Sequence, residues 1–384
     1  MENAPKKYFS WPLLILMASI TYSAILSELM PSGVLPEMAQ GFHISQAQAG
    51  GFVGQYAIAS SCCGLPLIAL TVEWDRKKLL AYLIFGFALA NFITGLTSSY
   101  WLAVVARLLG GLCAGVLWPM ISAYGMMLVP TEKSGLAVSV IMAGTTVGMS
   151  LGLPLMTAIG RYFSYQVEFV VMGACIALIG VLCHFFLPHV PGEKRSRANS
   201  PLTMLKNKGV LLVGGMTALA AIANYGMYTY ITNLVSDIHY PGIGVAQILF
   251  GVGSVLSVLF AAYFIDRHLR CVTLTMLGSA AVAMALFSFT PVTFLHHLSF
   301  ILWGIGFGAL VTLFQTAVTR QVHDGVAVAT SVQSACFNFS IMIGTSLSGW
   351  LLTMGSSLTI AHMAIIVLVA DCVVATLAQE TLAH

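Results

Sequence analysis

Charge is what this chain has least of. Sixteen Lys and Arg and 13 Asp and Glu make up only 8% of its 384 residues, about a third of the share in a soluble globular domain. So few ionised groups cannot cover a water-facing surface. The net charge of +3 is too small to suggest a nucleic-acid partner, and none is expected. The eight cysteines, Cys62, Cys63, Cys113, Cys175, Cys183, Cys271, Cys336 and Cys372, sit in or beside apolar runs without metal-ligand spacing, so they read as small packing residues rather than a disulfide framework or a metal site. Also missing are H-E-x-x-H, G-x-S-x-G, a P-loop and any convergent carboxylate pair. Neither an enzyme nor a bound cofactor is expected.

What is abundant is apolar. Hydrophobic residues make up 58% of the chain and the mean hydropathy is +0.92. Runs of about 20 residues fit helices crossing a ~30 Å hydrocarbon core, whereas a membrane barrel would show short alternating strands. The expected fold class is an all-α membrane protein with twelve spans, at 11–35, 47–71, 79–97, 101–129, 134–160, 166–187, 209–236, 244–265, 271–290, 294–319, 326–354 and 357–378. The first run follows Lys6 and Lys7, is too long for a signal peptide and lacks a small-residue cleavage site, so it is expected to stay as a span.

The placement of cations supports the count. With the N-terminus inside, every Lys and Arg except Arg107 and Arg161 falls on the cytoplasmic side, which predicts an even number of spans and two cytoplasmic termini. The longest polar tract, PHVPGEKRSRANSPLTMLKNK at 188–208, divides the chain into an N-terminal six-helix bundle (1–188), a cytoplasmic linker (189–208) and a C-terminal six-helix bundle (209–384). A short internal repeat agrees: KSGLAVSV from Lys133 resembles HDGVAVAT from His323, and WDRKK from Trp74 resembles IDRHLR from Ile265. Parallel six-helix repeats are the build of transporters whose site lies at the repeat interface.

Ionisable groups inside spans stand out. An ionised acid at span depth costs roughly 2.5–3.5 kcal/mol on insertion scales, so Glu28, within TYSAILSELMPSGVLP, needs a cavity, a partner or a bound proton. Burial favours a neutral carboxyl and a nearby cation favours the anion, so Glu28 can trade a proton for cargo; the alternative is a structural carboxylate satisfied by Ser27 or Tyr22. Arg107 in the fourth span must find acceptors, either tuning Glu28 or tying helices together. Asp371 in the last span is read as structural or interfacial.

The polar and aromatic pocket candidates are Gln55, Tyr56, Trp118, Asn224, Tyr228, Tyr230, Gln315 and Asn338, whose amides, phenols and rings suit hydroxyl-rich or planar solutes; the alternative is interhelical polar glue. Asn91, on a span expected at the periphery, should contribute least. Gly144, Gly148 and Gly152 share one helix face and allow close helix approach, expected at the interface between the halves, with Pro154 adding a kink. His239, His296 and His297 are expected in external loops.

Together these features resemble the major facilitator superfamily, and within it the drug:proton antiporter branch with its sugar, arabinose and purine-ribonucleoside efflux proteins. Ser27-Glu28-Leu29 and Gly33-Val34-Leu35-Pro36 stand where that branch has T-x-E-F-x-x-x-G-L-L-P. Arg107 with Gly110, Gly111 and Gly115 is similar to its R-x-x-x-G motif, Gly144 to Pro154 to its glycine-proline signature, and Gln315 and Phe337-Asn338-Phe339-Ser340 to its Q and F-N-x-G positions. The family's cytoplasmic gate motif is matched around Asp75 and Arg76, although Val72 stands where an Asp is usual. A better copy lies at Asp266, Arg267 and Arg270. The usual W-R after the fifth span reads Tyr165-Gln166.

The resemblance implies proton-coupled efflux of a sugar, nucleoside or drug-like compound across a bacterial inner membrane, with Glu28 and Arg107 in coupling and the glycine-proline face and cationic turns in gating. It also implies a small-molecule substrate and a lipid bilayer as partners and a monomer as the working form. A proton-coupled uptake symporter on the same scaffold is the alternative; a channel or sensor lacks a recognisable filter.

Overall fold

The computed structural model describes residues 10–192, 206–265, 267–322 and 326–378. Among these residues there are 16 α-helices and no strand. The linker segment 193–205 and the gate residue Asp266 lie outside the described residues. The first helices are α1 (Trp11–Gly33), α2 (Leu35–Gly41), α3 (Gln46–Thr71), α4 (Arg76–Leu96), α5 (Tyr100–Leu128), α6 (Ser134–Val147), α7 (Leu153–Tyr162) and α8 (Tyr165–Phe186). They are followed by α9 (Lys208–Thr229), α10 (Ile231–Asp237), α11 (Ile243–Phe264), α12 (Leu269–Phe289), α13 (Thr293–Gly308), α14 (Leu310–Thr319), α15 (Val326–Met354) and α16 (Ser357–Leu377).

Eleven stretches among the described residues are long and apolar enough to cross a bilayer. The remaining member of the expected twelve is α3, a 26-residue helix. Polar side chains set several of the ends. Asp75 caps α4 by accepting from Lys78 N at 3.0 Å, and Asn207 Oδ1 caps α9 through Gly209 N and Val210 N; each satisfies amides that a helix start leaves unpaired. Asp237 Oδ2 accepts from both N and Oγ of Ser357, at 2.7 and 2.6 Å, and so places an anion at the start of α16, where the helix dipole favours it.

Three expected spans are interrupted. The span at 209–236 breaks at Tyr230 between α9 and α10, and that at 294–319 breaks at Ala309, whose N–H donates to Ser257 Oγ instead of continuing the ladder. The span at 134–160 contains a π-helical turn, Gly148–Gly152, between α6 and α7. The wider turn lies just before Pro154, whose ring and missing N–H disrupt a regular helix. Two loop expectations are corrected: His296 and His297 both lie on α13, which begins at Thr293, with His296 buried and its Nε2 against Thr290 O at 2.8 Å and His297 Nδ1 against Thr293 O at 2.7 Å.

The chain divides into two compact units, Met1–Met30 with Ile58–Ser196 and Pro31–Ala57 with Arg197–His384. In the first, α4 packs against α5 and α8, and α5 against α6. Helices α3 and α5 approach backbone to backbone at Gly64 and Gly115, where an added Cβ would lie 2.6 Å from Ser60 O. In the second unit α11 packs on α13, α9 on α15 and α16, and α12 on α13 and α16. Gly253 and Gly304 give α11 and α13 the same kind of close crossing.

Candidate functional site

Glu28 sits on α1 three residues before Pro31, and that proline shapes its surroundings. Pro31 has no N–H, so the carbonyl of Ser27, four residues earlier, is left without its helical donor. Arg107 of α5 supplies one. Its Nη1 donates to Ser27 O at 2.5 Å and its Nη2 to Glu28 O at 2.9 Å. The guanidinium fork thus bridges two consecutive carbonyls at the weak point of α1.

A third helix joins there. Asn91 Nδ2 of α4 donates to Ser27 Oγ at 3.0 Å and to Phe87 O at 2.8 Å. Asn91 Oδ1 is buried with no hydrogen-bond partner among the described residues. Glu28 and Arg107 are each 4% exposed and Asn91 is 3% exposed. Helices α1, α4 and α5 therefore converge on a polar cluster within the first unit. Its burial and the neighbouring Arg107 charge act on the Glu28 carboxyl; opposed influences of this kind let a carboxylic acid change its protonation.

The glycine face of α6 lies along the part of α1 that leads to Glu28. A Cβ on Gly144 would overlap Ala18 O and Thr21 Oγ1; one on Gly148 would reach Ile25 Cγ2 at 2.7 Å, and one on Gly152 would reach Tyr22 Oη at 2.8 Å. The close neighbour of this face is thus α1 of the same unit. Thr21 Oγ1 donates to Ile141 O across the same contact. Gly144→Val is expected to lower stability by about 1–3 kcal/mol through overpacking, read as a fall in melting temperature in detergent. Gly215→Ala, with nothing within 4 Å of the added Cβ, should leave it unchanged.

The other sequence candidates fall in varied settings. Asn224 is consumed internally: its Oδ1 accepts from Trp303 Nε1 at 3.1 Å and its Nδ2 donates to Ala220 O at 2.9 Å. Tyr228 is fully buried among the rings of Phe250, Trp303 and Phe307. Asn338 on α15 is buried and donates to Ser334 O. Gln55, Trp118 and Gln315 are half-buried, while Tyr56 is fully buried. Tyr230, at the α9–α10 break, donates to Thr345 O at 3.2 Å.

Of the gate candidates, Asp75 also faces His189 Nδ1 at 3.2 Å, and the buried Arg76 donates its backbone N–H to Val190 O at 2.8 Å. Arg267 is exposed, and Arg270 Nη2 donates to Thr376 O at 3.0 Å.

Two features escaped the sequence reading. Asn91 is at the centre of the cluster rather than at the margin. Gln333 of α15 is buried with neither amide atom hydrogen-bonded among the described residues. The available signal for the first was an amide inside an apolar span, which needs partners on a neighbouring helix. For Gln333 the signal was an amide inside an apolar span.

Long apolar helices pinned together by buried polar groups, with a carboxyl and a guanidinium at span depth, define a multi-span membrane transporter. The chain belongs to the Major Facilitator Superfamily, whose profile matches residues 15–345. It is similar to a probable sugar efflux transporter of Pasteurella multocida (strain Pm70), 27% identical over 352 residues and covering 90% of this chain and 86% of the relative. A probable sugar efflux transporter of Helicobacter pylori (strain ATCC 700392 / 26695) is 25% identical over 322 residues, covering 83% and 82%. Among solved structures, a mutant of the nucleoside transporter NupG matches with a TM-score of 0.77 at 18% identity, over 96% of this chain and 99% of that one. A bacterial homologue of the human lysosomal transporter Spinster, inward-facing and unoccupied, matches with a TM-score of 0.72 at 16% identity, over 98% of each chain. Both share the fold.

Proposed function

We propose that the protein is a proton-coupled exporter of a sugar, working by alternating access in a bacterial inner membrane with both termini in the cytoplasm. The observation that carries the coupling is the buried Glu28 carboxyl, held beside Arg107 on a helix whose ladder loses one donor at Pro31. The names of the sequence relatives support sugar as cargo and efflux as direction. In this reading Glu28 carries the proton and Arg107 fixes the backbone that presents it. The amides Gln55, Gln315 and Gln333 of the second unit contact the solute, while Asn224 and Tyr228 hold that unit together. Asp75, Arg76, Asp266, Arg267 and Arg270, with the face from Gly144 to Pro154, act in gating.

One proton moving inward down about 100 mV releases roughly 2.3 kcal/mol, enough to hold a neutral solute at a gradient of about 50-fold. The test uses sealed proteoliposomes with recorded internal pH, screened against sugars, nucleosides and lipophilic cations. Sugar-dependent proton movement that collapses with a protonophore is the expected result. Solute flux indifferent to the protonophore would defeat the coupling, and co-directional flow of proton and solute would make the protein an uptake symporter.

A further inference from the structure

Asp371 has no part in the function above, yet its surroundings are unlike those of any ordinary structural carboxylate. It lies on the inward face of α16 with Ile360, Ala361, Ala364, Leu368 and Ala375 and is 0% exposed. Neither Oδ1 nor Oδ2 has a hydrogen-bond partner among the described residues. A carboxylate stripped of water and of every donor has nothing to offset its desolvation, whereas the neutral acid does not carry that burden.

A permanent cation stands on the neighbouring helix α12. Arg270, on α12, reaches across to α16 and donates from Nη2 to Thr376 O, five residues beyond Asp371 and so about 7.5 Å along the helix axis. Its Nε is buried without a hydrogen-bond partner among the described residues. Helix α16 packs on α12, α9, α15 and α10. The other ionisable groups on these elements are Cys271 on α12, Lys208, Tyr225 and Tyr228 on α9, Cys336 on α15 and Asp237 on α10, which caps the opposite end of α16. On α16 itself Cys372 follows Asp371, and His362 stands near the far end against Phe289. Arg270 is thus the one arginine on these helices among the described residues.

We propose that Asp371 is a proton-binding site of the second unit, holding its proton in the present arrangement and, on releasing it, pairing with Arg270. The proton leaves the carboxyl oxygen for water, and the carboxylate takes the Arg270 guanidinium from Thr376 O. No other bond changes. This holds whatever solute the protein carries and whether or not Glu28 couples its movement.

Infrared difference spectroscopy of the full chain in lipid, titrated across pH and made with aspartate labelled by carbon-13 at the side-chain carboxyl, tests it without any transport assay. A protonated-carboxyl band that shifts with the aspartate label, present at neutral pH and lost in Asp371→Asn, is expected. Arg270→Gln, which removes the partner of the released carboxylate, should keep that band at alkaline pH where the wild type has lost it. An unchanged band in Asp371→Asn, or no label-sensitive band at neutral pH, overturns the proposal. Should Asp371→Asn fail to fold, Asp371→Glu serves: it retains an acid outside the aspartate label, so the label-sensitive band must vanish, and its persistence is equally fatal.

Discussion

Glu28→Gln is expected to abolish proton-driven solute movement in proteoliposomes while the protein still inserts and folds. The amide keeps the shape and hydrogen-bonding capacity of the neutral acid but cannot release a proton. The gradient of about 50-fold that one proton could sustain at 100 mV should fall to none. Exchange of labelled for unlabelled solute needs no net proton movement and should survive. Parallel assays of net efflux and exchange therefore separate a coupling residue from a structural one. Full net transport in Glu28→Gln would remove this carboxyl from the mechanism, and loss of both activities with loss of folding would make it structural.

The second large effect is expected at Arg107. Arg107→Leu leaves Ser27 O without its replacement donor and Glu28 O without its Arg107 bond, at a site from which water is excluded. Each buried carbonyl left unsatisfied costs about 1–3 kcal/mol, so a loss of about 2–6 kcal/mol is expected for the two, visible as a large drop in melting temperature. Arg107→Lys keeps the charge but not the planar fork that spans two carbonyls, and should recover part of the stability. If the residue acted only as a charge upon Glu28, Lys would restore stability and transport in full, and Leu would spare the melt while changing the pH profile of transport.

The membrane class and the order of spans were legible because they depend on additive quantities, hydropathy and the side on which Lys and Arg fall. Glu28 was legible for a related reason, since a lone acid in an apolar run is conspicuous. The partners of these groups were not. That Arg107 binds the backbone of α1 depends on where α5 crosses α1, and no local pattern around residue 107 encodes that crossing. Asn91 was undervalued on the expectation that its helix is peripheral, yet one face of α4 is buried from Leu79 to Gly95. The glycines of α6 announced a close approach but not its partner, because a smooth face is complementary to any helix that presents a small groove. The breaks at Tyr230 and Ala309 had no proline to reveal them; the latter owes its geometry to a serine 52 positions away.

The π-helical turn at Gly148–Gly152 carries a consequence for how this chain can vary in length. Such a turn holds one residue more than a regular turn, so the segment stores a spare position midway along a membrane-crossing rod. Removing one residue there can restore regular winding, whereas the same deletion in α8 or α12 would rotate everything downstream by about 100°. Deletion tolerance scanned along the chain should therefore peak inside this window, a place that hydropathy alone would mark as untouchable.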